Sequence, residues 1–587
     1  MIHFIFSKDD LRYLFLKYDK LEEDKIMQDL KDWMNLTDPI CYLTSWKGAP
    51  FTQDFLFEYV QPSGEKVYYC AIGLWQVIYM YFRDNEISYD GLIENQDVFK
   101  IKIKHTFEEF KNIVDSWNLK FPPRDYQYDS AYKILSWRQS TSQIATRAGK
   151  TLIAYIVFRY SKEYMGVKNI LAIVPSIDLV KQMYGDFNEY KEFFKTECIW
   201  SGGKLVQSAD FTVGTFQSLI KFLDKKSKKY NPHFFDKFDL MFIDETHRAS
   251  AVQIRTIINH TFMKGIKLCF GMSGTLPKEH TIPYYAIHAL LGAKIQDIKP
   301  KELMDQGYIS NIFINQIRLQ YKSNKLNKKQ KKLFIGCCEY GISDYVFNTN
   351  SEGKREKILL DNGKFLIKYK KKLPDGVNEM KEMLKNTKPK EEYYKEYIGF
   401  LKKFVPDTTK TNGLVIEKMM THFMNERIDY LCDKILPTCD RNTLILAHHT
   451  EYINYITEII KKKFPYKHID IITGNVKPKK RDEVKQMLKD NDDCILIASY
   501  GCLSTGITLN NLCFGVLFES FKSEIVNMQS LGRGLAKAAN KEVFTVFDII
   551  DCFNTDYATN EIFLQGLSKI KLYKSNQYPF KIINVNL

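Results

Sequence analysis

The chain has twelve cysteines but no Cys-x-x-Cys, and its only close pair is Cys337–Cys338. This spacing excludes a zinc ribbon or finger and a disulfide framework, and scattered thiols suit a reducing compartment. No uninterrupted apolar stretch reaches the ~20 residues that cross a bilayer, so no membrane partner is expected. The opening MIHFIFSKDDLRYLF meets acidic residues too early for a secretory signal, so the expected location is the cytoplasm. A third absence is local. QIATRAGKTL (143–152) ends like a phosphate-binding loop, but Ile144 stands where a further glycine is expected, five residues before Gly149.

What is present is a 587-residue chain that is 45% hydrophobic and 26% charged, a composition of globular domains. The formal net charge of +15 is uneven. Residues 321–410 hold 22 lysines and arginines against 12 acids, a surplus that suits phosphate backbones or a solvated insertion. Tyr369, Tyr393, Tyr394 and Tyr397 in this stretch could stack on bases or pack the insertion itself.

Residues 1–118 are aromatic-rich, with short alternating runs (DFLFEYV, KVYYCAIGL) and a helix-like WQVIYMYFRDN; they read as a small α+β domain. Pro122–Pro123 marks the junction. Beyond it, continuous apolar runs alternate with helical stretches: SQIAT, ILAIVP, FTVGT, LMFID and KLCFGMSG, then TLILAH, IDIIT, CILIAS, FGVLFE and VFTVFD. Strands buried on both faces and separated by helices imply parallel sheets. The expected fold class is therefore α/β, with two parallel-sheet domains in tandem behind the α+β domain. Their expected limits are 119–306 and 307–555, the second carrying the basic insertion at 321–413 and followed by a C-terminal extension at 556–587.

The loop has the context its chemistry needs, a strand before it and a helix (TLIAYIVFRYSKEY) after it, where backbone N–H groups attract phosphate. LMFIDETHRAS places Asp244 and Glu245 at the end of a buried strand, 94 residues after Lys150. One carboxylate there can hold Mg²⁺ and the next can orient a hydrolytic water. MSGT (272–275) and VPSIDLVKQ (174–182) follow further strands, and RDYQ (124–127) precedes the loop.

In this order the segments resemble the motors of superfamily 2 helicases. Asp244-Glu245-Thr246-His247 matches the DExH box, Ser273-Gly274-Thr275 the Ser/Thr-Ala/Gly-Thr motif, and Pro175, Leu179 and Gln182 the strand-contacting motif of the first domain. LSTGITLNNL (503–512) and QSLGRGLAK (529–537) resemble the Thr-Gly and QxxGRxxR motifs of the second. IASYGCLSTGITLNNL, FKSEIVNMQSLGRGL, the final NVNL, SWKGAPFTQDFLFEY and AIGLWQVIYMYF more specifically resemble the UvsW-type recombination helicases of tailed bacteriophages. The resemblance implies RecA-like sheet domains, ATP and Mg²⁺ as cofactors, and a monomer in the host cytoplasm. It further implies movement on duplex or branched DNA or RNA–DNA hybrid, with R-loop unwinding and branch migration, and a DNA-binding or substrate-recognition role for residues 1–118.

Carried over residue by residue, Thr146, Arg147, Ala148, Gly149, Lys150 and Thr151 cradle the phosphates. Thr151 and Asp244 hold the metal, and Glu245 positions the water. Gln127 reads the adenine edge unless it is an ordinary helix-surface residue, and His247 couples the ATP site to the second domain unless it is structural. Arg533 is the arginine finger, while Ser176, Gln182, Thr215 and Thr505 contact DNA. His448–His449 sits where a further strand-contacting motif falls, though two histidines could equally cap a helix. The last arginine of QxxGRxxR is replaced by Ala536, with Lys537 expected one helical step of about 100° away. Slower hydrolysis on Arg533 alone is the expectation. Rival readings are the motor subunit of a restriction or repair nuclease, for which no nuclease constellation is apparent, a binding scaffold with a decayed motor, and an RNA remodeller.

Overall fold

The computed structural model describes the chain except residues 7–12, 20–21, 39–50, 93–98, 200–208, 250, 263–265, 322–346, 350–354, 360–364, 367–420, 423, 475–477, 504–510, 521–522, 538–540 and 553–560. It divides into two compact units, Met1–Lys299 and Pro300–Leu587. None of the described helices is long and apolar enough to cross a membrane.

The first unit contains two sheets. The N-terminal one is five-stranded and mixed, ordered Phe57–Val60, Lys66–Ala71, Tyr13–Tyr18, Ile2–Phe6, Tyr89–Asp90. Helix Trp75–Asp84 covers it with Val77, Ile78 and Phe82 buried. The other sheet has seven strands, all parallel, ordered Thr196–Ile199, Phe211–Thr215, Ile170–Val174, Leu240–Asp244, Leu268–Ser273, Gln139–Ile144, Lys294–Ile298. The five runs read as buried strands are all here. Thr196–Ile199 and Lys294–Ile298 escaped sequence reading because they are edge strands, where the apolar pattern thins: Lys294–Ile298 is only half-buried along most of its length. Helix Lys150–Tyr164 is apolar nearly all round, from Leu152 to Phe158, and is correspondingly buried.

The N-terminal sheet shares its core with the parallel-sheet domain. Tyr285, from helix Ile282–Leu291, belongs to the same buried cluster as Phe4, Leu16 and Phe82. Trp75 stacks on Phe99 at 4.8 Å, and Trp137, just ahead of the loop strand, stacks on Phe99 at 5.7 Å. Gly73 makes the approach possible, since a Cβ there would lie 2.0 Å from the His288 carbonyl oxygen.

The second unit is built on another seven-stranded parallel sheet, ordered Ile469–Ile472, Ile495–Ser499, Thr443–Ala447, Phe514–Leu517, Val543–Cys552, Asn311–Gln320, Phe580–Asn586. Asn311–Gln320 pairs along its whole length with Val543–Cys552, on the far side of the basic insertion in sequence. The stretch read as a C-terminal extension supplies helix Glu561–Ser575 and the edge strand Phe580–Asn586, so it completes this sheet. Within the basic insertion the structure describes Tyr321 and three short strands, Phe347–Thr349, Arg355–Leu359 and Phe365–Leu366; apart from Tyr321 and Lys357, its lysines and tyrosines lie outside the described residues.

Charge is buried in this second core and is paired there. Arg427 donates from Nε to Asp551 at 2.9 Å and from a terminal nitrogen to the Tyr452 hydroxyl at 3.0 Å, and another reaches the Phe518 carbonyl. Asp551 also accepts from the Tyr321 hydroxyl at 2.7 Å. Lys569 and Asp548 pair at 2.6 Å, both buried. Removing one member of such a pair strands a charge in low dielectric, which costs about 3–5 kcal/mol. Arg427→Leu is therefore expected to lower the unfolding free energy read from urea denaturation by that much, and Arg427→Leu/Asp551→Leu by less than the single change.

His288 sets a pH dependence in the first unit. Burial pushes its pKa down to about 4 against the rise from its bond to the Tyr284 carbonyl at 2.8 Å. The unfolded chain takes up a proton near pH 6.5 while the fold resists it until about 4, so this contribution is full above 6.5 and is lost as pH falls through that window. Chemical denaturation between pH 7 and 4 should show up to about 3 kcal/mol of it, reduced in His288→Gln.

Candidate nucleotide-binding and hydrolysis site

Strand register places the motor residues. Gln143, at the end of the loop strand, pairs with Ser273, and Met272 of that strand pairs with Asp244. Three adjacent strands thus end together, with the loop (145–149), Asp244–Glu245 and Ser273–Thr275 at one edge, where ligands gather in open parallel sheets.

The loop is tight. Gly149 has φ +76° and Arg147 φ +72°, both left-handed. The arginine accepts a conformation that costs roughly 1–2 kcal/mol for an L-residue. Glycine is required at 149 for a second reason: a Cβ would lie 2.4 Å from Gln127 Nε2. Gln127 is only 3% exposed; its Nε2 donates to the Ala148 carbonyl at 2.9 Å and its Oε1 accepts from the Arg124 N–H at 2.9 Å. The Tyr126 hydroxyl donates to the same Ala148 carbonyl at 2.8 Å. Gln127 therefore sits beneath the loop as a clamp, not on an open helix surface, and Tyr126, its unremarked neighbour in RDYQ, shares the work.

Asp244 accepts from the Glu245 N–H at 2.9 Å. Burial first, then the neighbouring Glu245 carboxylate, push its pKa up to about 6, while Lys150 and His247 pull the other way. Lys150 is thus near enough to act on the carboxylate and begins helix Lys150–Tyr164, whose N-terminus favours anions. Glu245 has φ +52°, strain of the kind stored at functional sites. The Ser273 hydroxyl lies 2.9 Å from His247 Nδ1, 3.3 Å from Glu245 Oε2 and 2.7 Å from the Thr275 carbonyl. One buried hydroxyl therefore joins the Ser-Gly-Thr turn to both the glutamate and the histidine, a linkage that motif order alone does not reveal. Gly271 lets this happen, since a Cβ there would lie 2.5 Å from Thr246 Oγ1.

Other residues stand apart. The Thr151 side chain hydrogen-bonds with Asp186 and Tyr190 of helix Ile177–Tyr190, so it would have to exchange these partners for a metal. Ser176 caps that helix, accepting from the Leu179 N–H at 3.4 Å, and Gln182 approaches Asp186 at 3.5 Å. Thr215 is a correction: it is 4% exposed and its hydroxyl donates to Ser218 at 3.0 Å, so it presents no surface to DNA. Thr505 lies outside the described residues.

In the second unit Arg533 lies in the last turn of helix Glu524–Gly534, whose N-cap Ser523 accepts from the Val526 N–H at 3.4 Å. The helix stops at Gly534, so Ala536 and Lys537 are not helical and the 100° step expected between them does not apply. The stop has a cause. Buried Lys541 binds the carbonyls of Gly534 and Ala536, and Ser310 donates to Ala536 at 3.2 Å, so the terminal carbonyls are capped from outside the helix. Glu519 accepts from the His448 backbone N–H and pairs with His422 at 2.7 Å, fixing the start of the His448–His449 segment.

These features, a loop over a helix N-terminus, a strand-end Asp-Glu pair and a Ser-Gly-Thr turn wired to the histidine after that pair, fit an ATP-hydrolysing helicase. Residues 120–278 match the family model "Type III restriction enzyme, res subunit", and residues 426–535 match "Helicase conserved C-terminal domain". The chain is similar to the ATP-dependent DNA helicase uvsW of Enterobacteria phage T4, at 25% identity over 86% of each chain. A crystal structure of T4 UvsW aligns over 100% of this chain and 99% of its own at 20% identity and a TM-score of 0.39. Yeast (S. cerevisiae) Dbp5 bound to RNA and ADP BeF3 aligns over 82% and 95% at 12% identity and a TM-score of 0.47.

Gly149→Ala tests the loop geometry. It adds left-handed strain and drives a methyl group into Gln127, so nucleotide affinity should fall at least ~10-fold while the melting temperature moves by only a few degrees. Titration with a fluorescent ATP analogue would read the first and a thermal melt the second.

Proposed function

We propose that this chain is an ATP-dependent DNA helicase or translocase that remodels branched DNA and R-loops. The observation that carries the reading is the convergence of Lys150, Asp244, Glu245 and the His247–Ser273 linkage on one sheet edge. Similarity across most of the length of a DNA helicase supports it. Lys150 would neutralise the β- and γ-phosphates, and the N–H groups of 146–149 would cradle them. Asp244 fits a hard cation, being a carboxylate with few competing partners, and Thr151 would join it. Mg²⁺ bound there supplies neutralisation of charge on the phosphate oxygens. Glu245, already aimed by its strained backbone and by Ser273, would hold the attacking water. Arg533 would meet charge that develops on the transferred group. Gln127 would serve adenine recognition through the loop it clamps. Ser176 and Gln182 would meet the DNA backbone, and residues 1–118 would recognise the substrate. A monomer in the host cytoplasm is the working form.

A second reading is motivated by the restriction-enzyme family model matched at 120–278: a motor that serves a nuclease partner. It predicts ATP turnover without preference for branched DNA.

The test is ATP hydrolysis with no nucleic acid, single-stranded DNA, duplex, branched DNA and RNA, with Lys150→Ala as the blank. Turnover should be absent in the blank and greatest with branched DNA; stimulation by RNA alone would overturn the substrate assignment. Arg533→Ala should lose ~10³-fold or more in turnover. Ala536→Arg should be faster than the parent, and an unchanged rate would sink the idea that the missing arginine limits hydrolysis.

A further inference from the structure

A cavity of about 550 Å³ lies within the first unit, between the N-terminal helices and the segment that leaves the Ser273–Thr275 turn. Its walls are aromatic. Trp33 lies 4.9 Å from Tyr81, 4.7 Å from His280 and 6.1 Å from Tyr285, measured between ring centroids. His280 is fixed by Nδ1 against the Tyr285 hydroxyl at 3.0 Å, and its burial lowers its pKa, so near pH 7 the ring is neutral and adds no competing cation.

The polar lining is acidic. Asp29, Asp84 and Glu279 line the same cavity, in a chain whose net charge is +15. Asp84 is paired with Arg83 at 2.7 Å, an exposed pair of small net value, and Glu279, itself exposed, lies 3.7 Å from half-buried Lys294. Asp29 lines the cavity with Trp33 and Tyr81 and has no ion-pair partner among the described residues. Aromatic faces beside carboxylates attract cations and give anions or neutral polar groups little. The volume falls in the range of small-molecule sites.

We propose that this cavity binds a small organic cation, an alkylammonium ion carried by a free amine. The aromatic rings supply cation–π contact, Asp29 supplies the counter-charge, and Met80 and Val77 accept the alkyl part. The site shares no residue with the nucleotide pocket. It is nevertheless joined to it through four residues, Leu276 to Glu279, so occupancy bears on the segment that holds Ser273 and Thr275.

Isothermal titration of the full chain with 1,5-diaminopentane, spermidine and tetramethylammonium, against neutral 1,5-pentanediol, tests this directly. At least one amine should bind with a dissociation constant of ~1 mM or tighter while the diol gives no heat. Asp29→Asn, a change at an exposed position that leaves the fold intact by thermal melt, should weaken the amine about fivefold or more, as should Trp33→Leu. No heat with any amine up to ~10 mM, equal binding of the diol, or full affinity in Asp29→Asn would overturn the assignment. A lysine-containing peptide binding ~10-fold more tightly than every free amine would overturn the choice of a free small molecule.

Discussion

The register of three parallel strands is the constraint on which everything at the ATP site depends. Because Gln143 is held opposite Ser273 and Met272 opposite Asp244, the loop, the carboxylate pair and the Ser-Gly-Thr turn cannot move along their strands independently. A one-residue slip would send each side chain to the other face of the sheet. The short polar links then need no further scaffolding: the Ser273 hydroxyl reaches His247 and Glu245 only because its strand ends level with theirs.

Much of this was legible in the sequence, for a physical reason. Central strands of a parallel sheet are buried on both faces, so ILAIV and LMFID announce themselves as unbroken apolar runs, and motif spacing then orders them. What stayed hidden was of two kinds. Edge strands such as Lys294–Ile298 and Phe580–Asn586 have one exposed side and a diluted pattern. Side-chain partnerships, such as Tyr126 on Ala148 or Lys541 on the end of the Arg533 helix, join residues whose types carry no signal until the backbone brings them together. The fate of Thr215 is instructive: a threonine at a strand end suits a nucleic-acid contact or an internal hydrogen bond, and here it is buried with its hydroxyl bonded to Ser218.

The two units stabilise their sheets by different means. In the first, aromatic packing is prominent, with Phe158 of the loop helix in ring contact with Phe187, Phe211 and Phe242. In the second, the core holds charged groups: Arg427 with Asp551, Lys569 with Asp548, His422 with Glu519. Apolar packing tolerates small rearrangements, whereas a buried ion pair admits few geometries. The polar core therefore binds the segment re-entering from the basic insertion, at His422 and Arg427, to the strand ends at Phe518–Glu519 and Asp551.

The sharing of Tyr285 between the N-terminal cluster and the parallel-sheet domain has a consequence for synthesis. The last N-terminal member of that cluster is Phe99, and Tyr285, the next fully buried one among the described residues, lies 186 residues further along the chain. At roughly 5–20 residues per second, a ribosome needs on the order of 10 to 40 s to produce the intervening segment. During that interval the N-terminal sheet and its covering helix lack the Tyr285 side of their core. The first domain to be translated can thus complete its core only once the strands up to Leu268–Ser273 have been made.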